Sequence, residues 1–217
     1  MKAYISDITD MCSDIRIIKL KLPHNQKLGH ISGQYIKIIP AGHFPRPYSI
    51  ANSRTSKDIE IHIRQTNRNG VSDYLCRDIK AGDTLQIEGP LGGAIYRSTS
   101  DTPLLLLAGG TGISYAKAIL EHALESKHEA PIHLIWGNDT REEFYLSTHF
   151  KALAKKHLNL RYIETTQRLD KKLDHYMDDY TGYNAYIAGP LEMIKACAHI
   201  LKHKGCAPDN LISDGLK

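Results

Sequence analysis

The chain has 217 residues, a formal net charge of +4 with histidine neutral, 41% hydrophobic residues and 24% charged residues. That length allows one large or two small domains with a full core, and the composition is that of an ordinary globular protein. Lysine and arginine are interspersed with aspartate and glutamate, with no block of like charge, which argues against nucleic-acid and membrane-surface roles.

The first twenty residues carry charges every few positions, so they do not read as the apolar segment of a signal peptide. The longest apolar run, at 104–108, is too short to cross a bilayer. A cytoplasmic protein without membrane contact is the expectation. Cys12, Cys76, Cys197 and Cys206 are widely spaced and form no CxxC pair. They predict reduced, structural thiols rather than a disulfide framework or an iron–sulfur cluster.

In chain order, Ile15 and Ile17 alternate with Arg16, Ile59, Ile61 and Ile63 with Glu60, His62 and Arg64, and Leu85 and Ile87 with Gln86 and Glu88. Period-two alternation predicts strands with one buried and one wet face, as in an antiparallel sheet or small barrel. Turn-forming residues at 23–25, 32–33, 67–70 and 81–83 separate them, and only 72–78 reads as helical in this half. The polar stretch 98–102, closed by Pro103, predicts a boundary between domains at 1–98 and 103–217. Beyond it, apolar strands at 104–108, 132–136, 160–164 and 185–188 alternate with helices at 112–126, 141–157, 171–179 and 191–204. Strands without a polar face, joined by helices, predict a parallel sheet covered on both sides.

Four segments carry chemistry. Arg46, Pro47, Tyr48 and Ser49 put a cation, a fixed backbone, an aromatic face and a hydroxyl on one extended segment. The set suits a planar cofactor bearing a phosphate, but on its own a packed tyrosine beside a surface charge is the commoner reason for it. Asn69, Gly70, Val71 and Ser72 form a turn into a short helix, which serves a phosphate or simple capping. A buried strand runs into Gly109, Gly110, Thr111 and Gly112 and then a helix, a geometry that brings backbone N–H groups against a pyrophosphate. This turn is not a P-loop, and Tyr115 stands where a dinucleotide fingerprint would carry its third glycine. Ala188, Gly189 and Pro190 end a later strand, so two such turns could enclose one ligand above the sheet. His199 and His203 share a helical face, but Cys197 projects elsewhere on the same helix, and no metal site is expected.

Taken in order, RPYS, GVSDYL, GPLGG, LLLLAGGTGISY, WG and YIAGPLEM resemble the ferredoxin–NADP reductase-like superfamily. The likeness runs from about Met1 to Asp214 and is greatest to bacterial NAD(P)H:flavin oxidoreductases and the flavin/NAD modules of oxygenase reductases. It implies an antiparallel Greek-key β-barrel that binds a flavin, FAD or FMN, followed by a parallel α/β domain that binds NAD(P)H. It further implies a flavin segment of Arg46, Pro47, Tyr48 and Ser49. Arg46 would meet the flavin phosphate, Tyr48 would pack on the ring, and Ser49 would lie at N5 as the catalytic residue. Asn69 to Ser72 would be the phosphate turn, with Asn69 where the family carries glycine. Gly109 to Gly112 would hold the nicotinamide nucleotide's pyrophosphate, and Ala188 to Pro190 would lie near the nicotinamide.

The implied activity is hydride transfer from nicotinamide to flavin. Its partner would be free flavin or a flavin- or electron-accepting protein. A reductase component serving a separate ferredoxin or oxygenase, and a non-catalytic nucleotide-binding module, are the other readings. Asp139 stands where other members place a cation for a 2′-phosphate, with Arg141 and Arg168 as further candidates, so NADH and NADPH both stay open. The tail 213–217 lacks a terminal aromatic residue over the flavin.

Overall fold

A computed structural model describes residues 1–12, 14–40, 42, 44–66 and 70–216, with the backbone alone at Asn25. In the first half the alternating segments become β1 (Lys2–Cys12), β2 (Ile15–Lys21), β3 (Tyr35–Ile38), β4 (Arg46–Ser49), β5 (Ile59–Arg64) and β6 (Thr84–Leu91). They make one antiparallel six-stranded sheet in the order β4-β3-β6-β1-β2-β5. Its two edges meet where the Ala51 N–H, just past β4, donates to the Glu60 carbonyl at 2.7 Å, so the sheet closes into a barrel. The inward isoleucines of β2, β3, β5 and β6 fill it, and helix α1 (Val71–Arg77) adds Val71 and Leu75 to that core.

The second half alternates β7 (Leu104–Gly109), α2 (Ile113–Glu125), β8 (Ile132–Gly137), α3 (Ser147–Lys156), β9 (Leu160–Thr165), α4 (Leu169–Asp174), β10 (Asn184–Ala188), α5 (Leu191–His203) and β11 (Leu211–Ile212). All five strands are parallel, in the order β11-β10-β7-β8-β9. β7 shows why its sequence lacks polar positions. Leu104, Leu106 and Ala108 pack on the face that carries α2 and Phe150 of α3, while Leu105 and Leu107 pack on the face that carries α4 and α5. The strand order reverses between β7 and β10, and there the crevice at the carboxyl ends of the strands opens. Among the described residues no helix is long and apolar enough to cross a membrane.

The structure corrects three sequence expectations. The helix expected over 141–157 starts only at Ser147, because residues 141–146 turn to set Phe144 and Tyr145 edge-on against Trp136. The helix expected over 171–179 spans Leu169–Asp174, and Tyr180 beyond it is buried in the core with its hydroxyl on the Leu173 carbonyl. The supposedly wet face of β5 is an interface. His62 is 5% exposed, and Glu60 accepts from Lys117 of α2 at 3.0 Å.

Candidate functional site

Strand β4 pairs with β3 so that Tyr48 lies opposite Ile36 and Ser49 opposite Tyr35. Directly opposed residues share a face of the sheet. Tyr48 therefore shares the Ile36 face and packs against the barrel core at its edge while still lining the cleft, and Ser49 turns with Tyr35 toward the α/β half. The Tyr48 hydroxyl lies 3.0 Å from Ser72 Oγ at the start of α1. Burial raises the phenol pKa above its ordinary value, so Tyr48 stays neutral. Ser49 is half-buried, and among the described residues its hydroxyl has no hydrogen-bond partner.

The glycine turn after β7 is a short 3₁₀ segment that leads directly into α2. Two glycines are forced by close approach. A Cβ on Gly112 would stand 2.4 Å from the Ala188 carbonyl oxygen. Gly189 has φ of +149°, and its Cβ would meet the Gly109 backbone at 3.1 Å. The two turns are thus packed against each other, backbone to backbone. Gly110 is different: nothing lies within 4 Å of the place a Cβ would take, so its backbone faces open space. Its carbonyl is fixed by Trp136 Nε1 at 2.9 Å. Tyr115, in place of a third glycine, is buried and donates to the Ala94 carbonyl at 2.7 Å, which ties α2 to the end of the barrel.

These elements converge on a cleft of about 520 Å³. The barrel contributes Pro47, Tyr48, Ser49 and Ser72, and the α/β half contributes all of Gly109, Gly110, Thr111 and Gly112 with Ala188, Gly189 and Pro190. A slot of about 430 Å³ shares Pro47, Ser49, Ala188 and Gly189 with it and adds Tyr35, Leu191, Ile194 and Asp214. A third crevice of about 410 Å³ leaves the cleft at Gly109, Gly110 and Pro190 and runs over the ends of β8 and β9 to Asp170.

Three of the expected residues lie outside this lining. Arg46 is exposed at the far end of β4, and Gly70 flanks α1. Val71 is buried in the barrel core, so only its backbone is left for a ligand. Asn69 falls outside the described residues. On α5, Cys197 is in the core while His199 and His203 meet edge to face on the exposed side with ring centroids 4.4 Å apart.

The residues missed from sequence came from tertiary contact. His62 and Arg64 reach the cleft from β5. The His62 Nε2 lies 3.0 Å from Glu60 Oε1 and its Nδ1 2.9 Å from the Tyr145 hydroxyl. Burial holds the imidazole below its usual pKa despite that carboxylate. A neutral ring then donates from Nε2 and accepts from Tyr145. Asp214 joins the slot because its carboxylate accepts from the Gly93 N–H at 3.1 Å, which binds the tail to the barrel. Only the unusual polarity of the alternating β5 segment hinted at His62. Nothing local marked Asp214.

Two family descriptions match the chain, an oxidoreductase FAD-binding domain over residues 2–96 and an oxidoreductase NAD-binding domain over residues 106–199. The RfbI protein of Salmonella typhimurium is 32% identical over 212 residues, 93% of this chain and 63% of that protein. The chain thus spans less than two thirds of that relative. An NAD(P)H-flavin reductase of Aliivibrio fischeri is 29% identical over 201 residues, 85% of this chain and 84% of the reductase. Among solved structures, the Amycolatopsis cytochrome P450 reductase GcoB superposes with a TM-score of 0.87 at 23% identity, over 97% of this chain and 68% of that one.

Proposed function

The chain belongs to the ferredoxin reductase-like oxidoreductases, in which an FAD-binding domain precedes an NAD-binding domain, and from that premise we propose that it is an NAD(P)H-dependent flavin reductase. The observation that carries this reading is the single cleft lined together by residues 47–49 of β4 and both glycine turns. Its volume and that of the adjoining slot lie in the range of small-molecule sites. The likeness to a flavin reductase over most of that protein's length supports free flavin as the acceptor. A separate electron-accepting protein is the alternative partner. We assign the two domains to residues 1–98 and 103–217 and the protein to the cytoplasm.

The residues present fit both ligands. Tyr48 offers a ring held by Ser72, Tyr35 and Ile194 offer apolar walls, and Ser49 offers a hydroxyl without a partner among the described residues. When bound, a flavin supplies the acceptor for a hydride from nicotinamide. The protein's part would be to hold the two planar rings in contact and to keep water out. Tyr48 would pack on the flavin ring, and Ser49 would donate to its N5. Arg46 and the turn of Gly70, Val71 and Ser72 would meet the flavin phosphate. The backbone at Gly110, with Thr111 and Gly112 at the start of α2, would receive the pyrophosphate of the nicotinamide nucleotide. Ala188, Gly189 and Pro190 would border the nicotinamide.

Titration of the purified chain with FAD, FMN and riboflavin should quench flavin fluorescence with one site per chain. Absence of binding by all three at tens of micromolar, an ordinary small-molecule affinity of about −6 kcal/mol, contradicts the assignment.

A further inference from the structure

We propose that the far end of the nucleotide crevice selects the dinucleotide without a 2′-phosphate, NADH over NADPH, with Asp170 and Asp139 as the specificity-determining residues. The inference rests on the reading of this crevice as a nicotinamide dinucleotide site. Because the crevice joins the cleft at Gly109, Gly110 and Pro190, a dinucleotide with its nicotinamide beside Ser49 runs its other end past β8 toward α4.

That end has the wrong charge for a phosphate. Its lining holds two cations, Arg64 and Arg168, against four carboxylates, Asp139, Glu143, Asp170 and Glu192. Both cations are engaged. Arg64 lies 3.1 Å from Glu143 and 3.4 Å from Asp14. Arg168 grips Asp170 with two parallel contacts of 3.1 and 3.0 Å. Asp139 is exposed at the mouth and has no partner among the described residues.

The unmet hydrogen-bonding capacity is also of one kind. Asn138 is 8% exposed, and its Nδ2 donates to the Glu143 carbonyl at 3.3 Å. Its Oδ1 is buried and has no partner among the described residues. Among the described residues this oxygen and the exposed Asp139 carboxylate are acceptors without a donor, while Asp170 already accepts from Arg168 at both oxygens. The hydroxyls of a ribose donate, whereas a 2′-phosphate carries about −1.5 to −2 charge and mostly accepts. The Arg168 pair alone does not decide the matter, because its guanidinium is exposed and a surface pair is loosely held. What decides it is the residue left behind. If Arg168 turned to a phosphate, Asp170 would face that dianion uncompensated.

The test is calorimetric titration of the flavin-loaded chain with NAD+ and with NADP+, neither of which reduces flavin, at one fixed ionic strength. NAD+ should bind roughly tenfold or more tightly than NADP+, the scale of one charge-assisted contact. Asp170→Asn and Asp139→Asn should each raise NADP+ affinity several-fold and leave NAD+ affinity unchanged or weaker, so that the preference for NAD+ shrinks. Adding Arg168→Ala to Asp170→Asn should remove the gain, since the freed guanidinium is its source. Melting curves of the surface variants should match wild type. Equal or tighter binding of NADP+ by wild type, or an Asp170→Asn variant with an unchanged ratio, overturns the proposal. Binding of neither nucleotide overturns the dinucleotide reading itself.

Discussion

Ser49 borders both the cleft and the slot, and its hydroxyl meets no partner among the described residues. A hydroxyl that merely satisfied the barrel would be bonded within it. One that donates to a flavin nitrogen as charge shifts there acts more strongly in the transition state than in the ground state. Ser49→Ala should therefore slow reduction of bound flavin by roughly 10–1000-fold with much smaller changes in flavin and nucleotide affinity. Stopped-flow mixing at saturating nucleotide measures this, and a rate within about twofold of wild type makes Ser49 structural. Tyr48 calls for a different comparison, because its ring also touches the barrel core and its hydroxyl meets Ser72. Tyr48→Ala should weaken flavin binding by ~1–3 kcal/mol, the scale of a lost aromatic contact. Tyr48→Phe should keep most of that affinity, since the ring does the packing. Equal losses in both variants would assign the effect to the Ser72 bond.

At the level of elements, legibility follows the range of the forces involved. β7 and its glycine turn were readable because a strand buried on both faces needs an unbroken apolar run, and a turn packed on another backbone needs glycine. Residues 141–146 were not readable. Their composition permits a helix, and only the edge-on packing of Phe144 and Tyr145 around Trp136 unwinds it. β5 misled for a similar reason. Its Glu60, His62 and Arg64 look solvent-facing until α2 and Tyr145 cover them. The RPYS strand and both turns of the candidate site were legible from local chemistry. Their common cleft is a product of tertiary folding. At the turn itself, Gly112→Ala would set its Cβ 2.4 Å from the Ala188 carbonyl oxygen, so the two turns must move apart. It should cost ~1–3 kcal/mol of stability by overpacking and raise the KM for the nucleotide. An unchanged melting temperature would show that the two turns part freely.

Across the whole molecule, the barrel and the α/β half are joined by a buried charged cluster. Lys117 Nζ lies 2.7 Å from Glu121, 3.0 Å from Glu60 and 3.1 Å from the Ala51 carbonyl. Burial alone would raise the Glu60 carboxyl, but the hydrogen bond from His62 and the charge of Lys117 bring it down to about 2. A carboxyl depressed from 4.5 stabilises the fold above that value and loses the contribution as pH falls toward 2. His62, held neutral by burial, adds a loss that begins as pH drops below its ordinary 6.5, because only the unfolded chain then takes up the proton readily. Glu60→Gln should cost roughly 2 kcal/mol at neutral pH. In denaturant titrations that cost should shrink as the pH is lowered below 4.5, the ordinary value for this carboxyl. A pH-independent difference would mean that packing, not charge, joins the halves here.

On this reading the two halves bring a nicotinamide and a flavin together in one cleft. The most direct test is anaerobic mixing of NADH with the chain and FAD, FMN or riboflavin, following the loss of flavin visible absorbance. At least one flavin should be reduced catalytically, with a rate saturable in NADH and slowed by Ser49→Ala. Bound flavin that stays oxidised in the presence of both NADH and NADPH would contradict this reading.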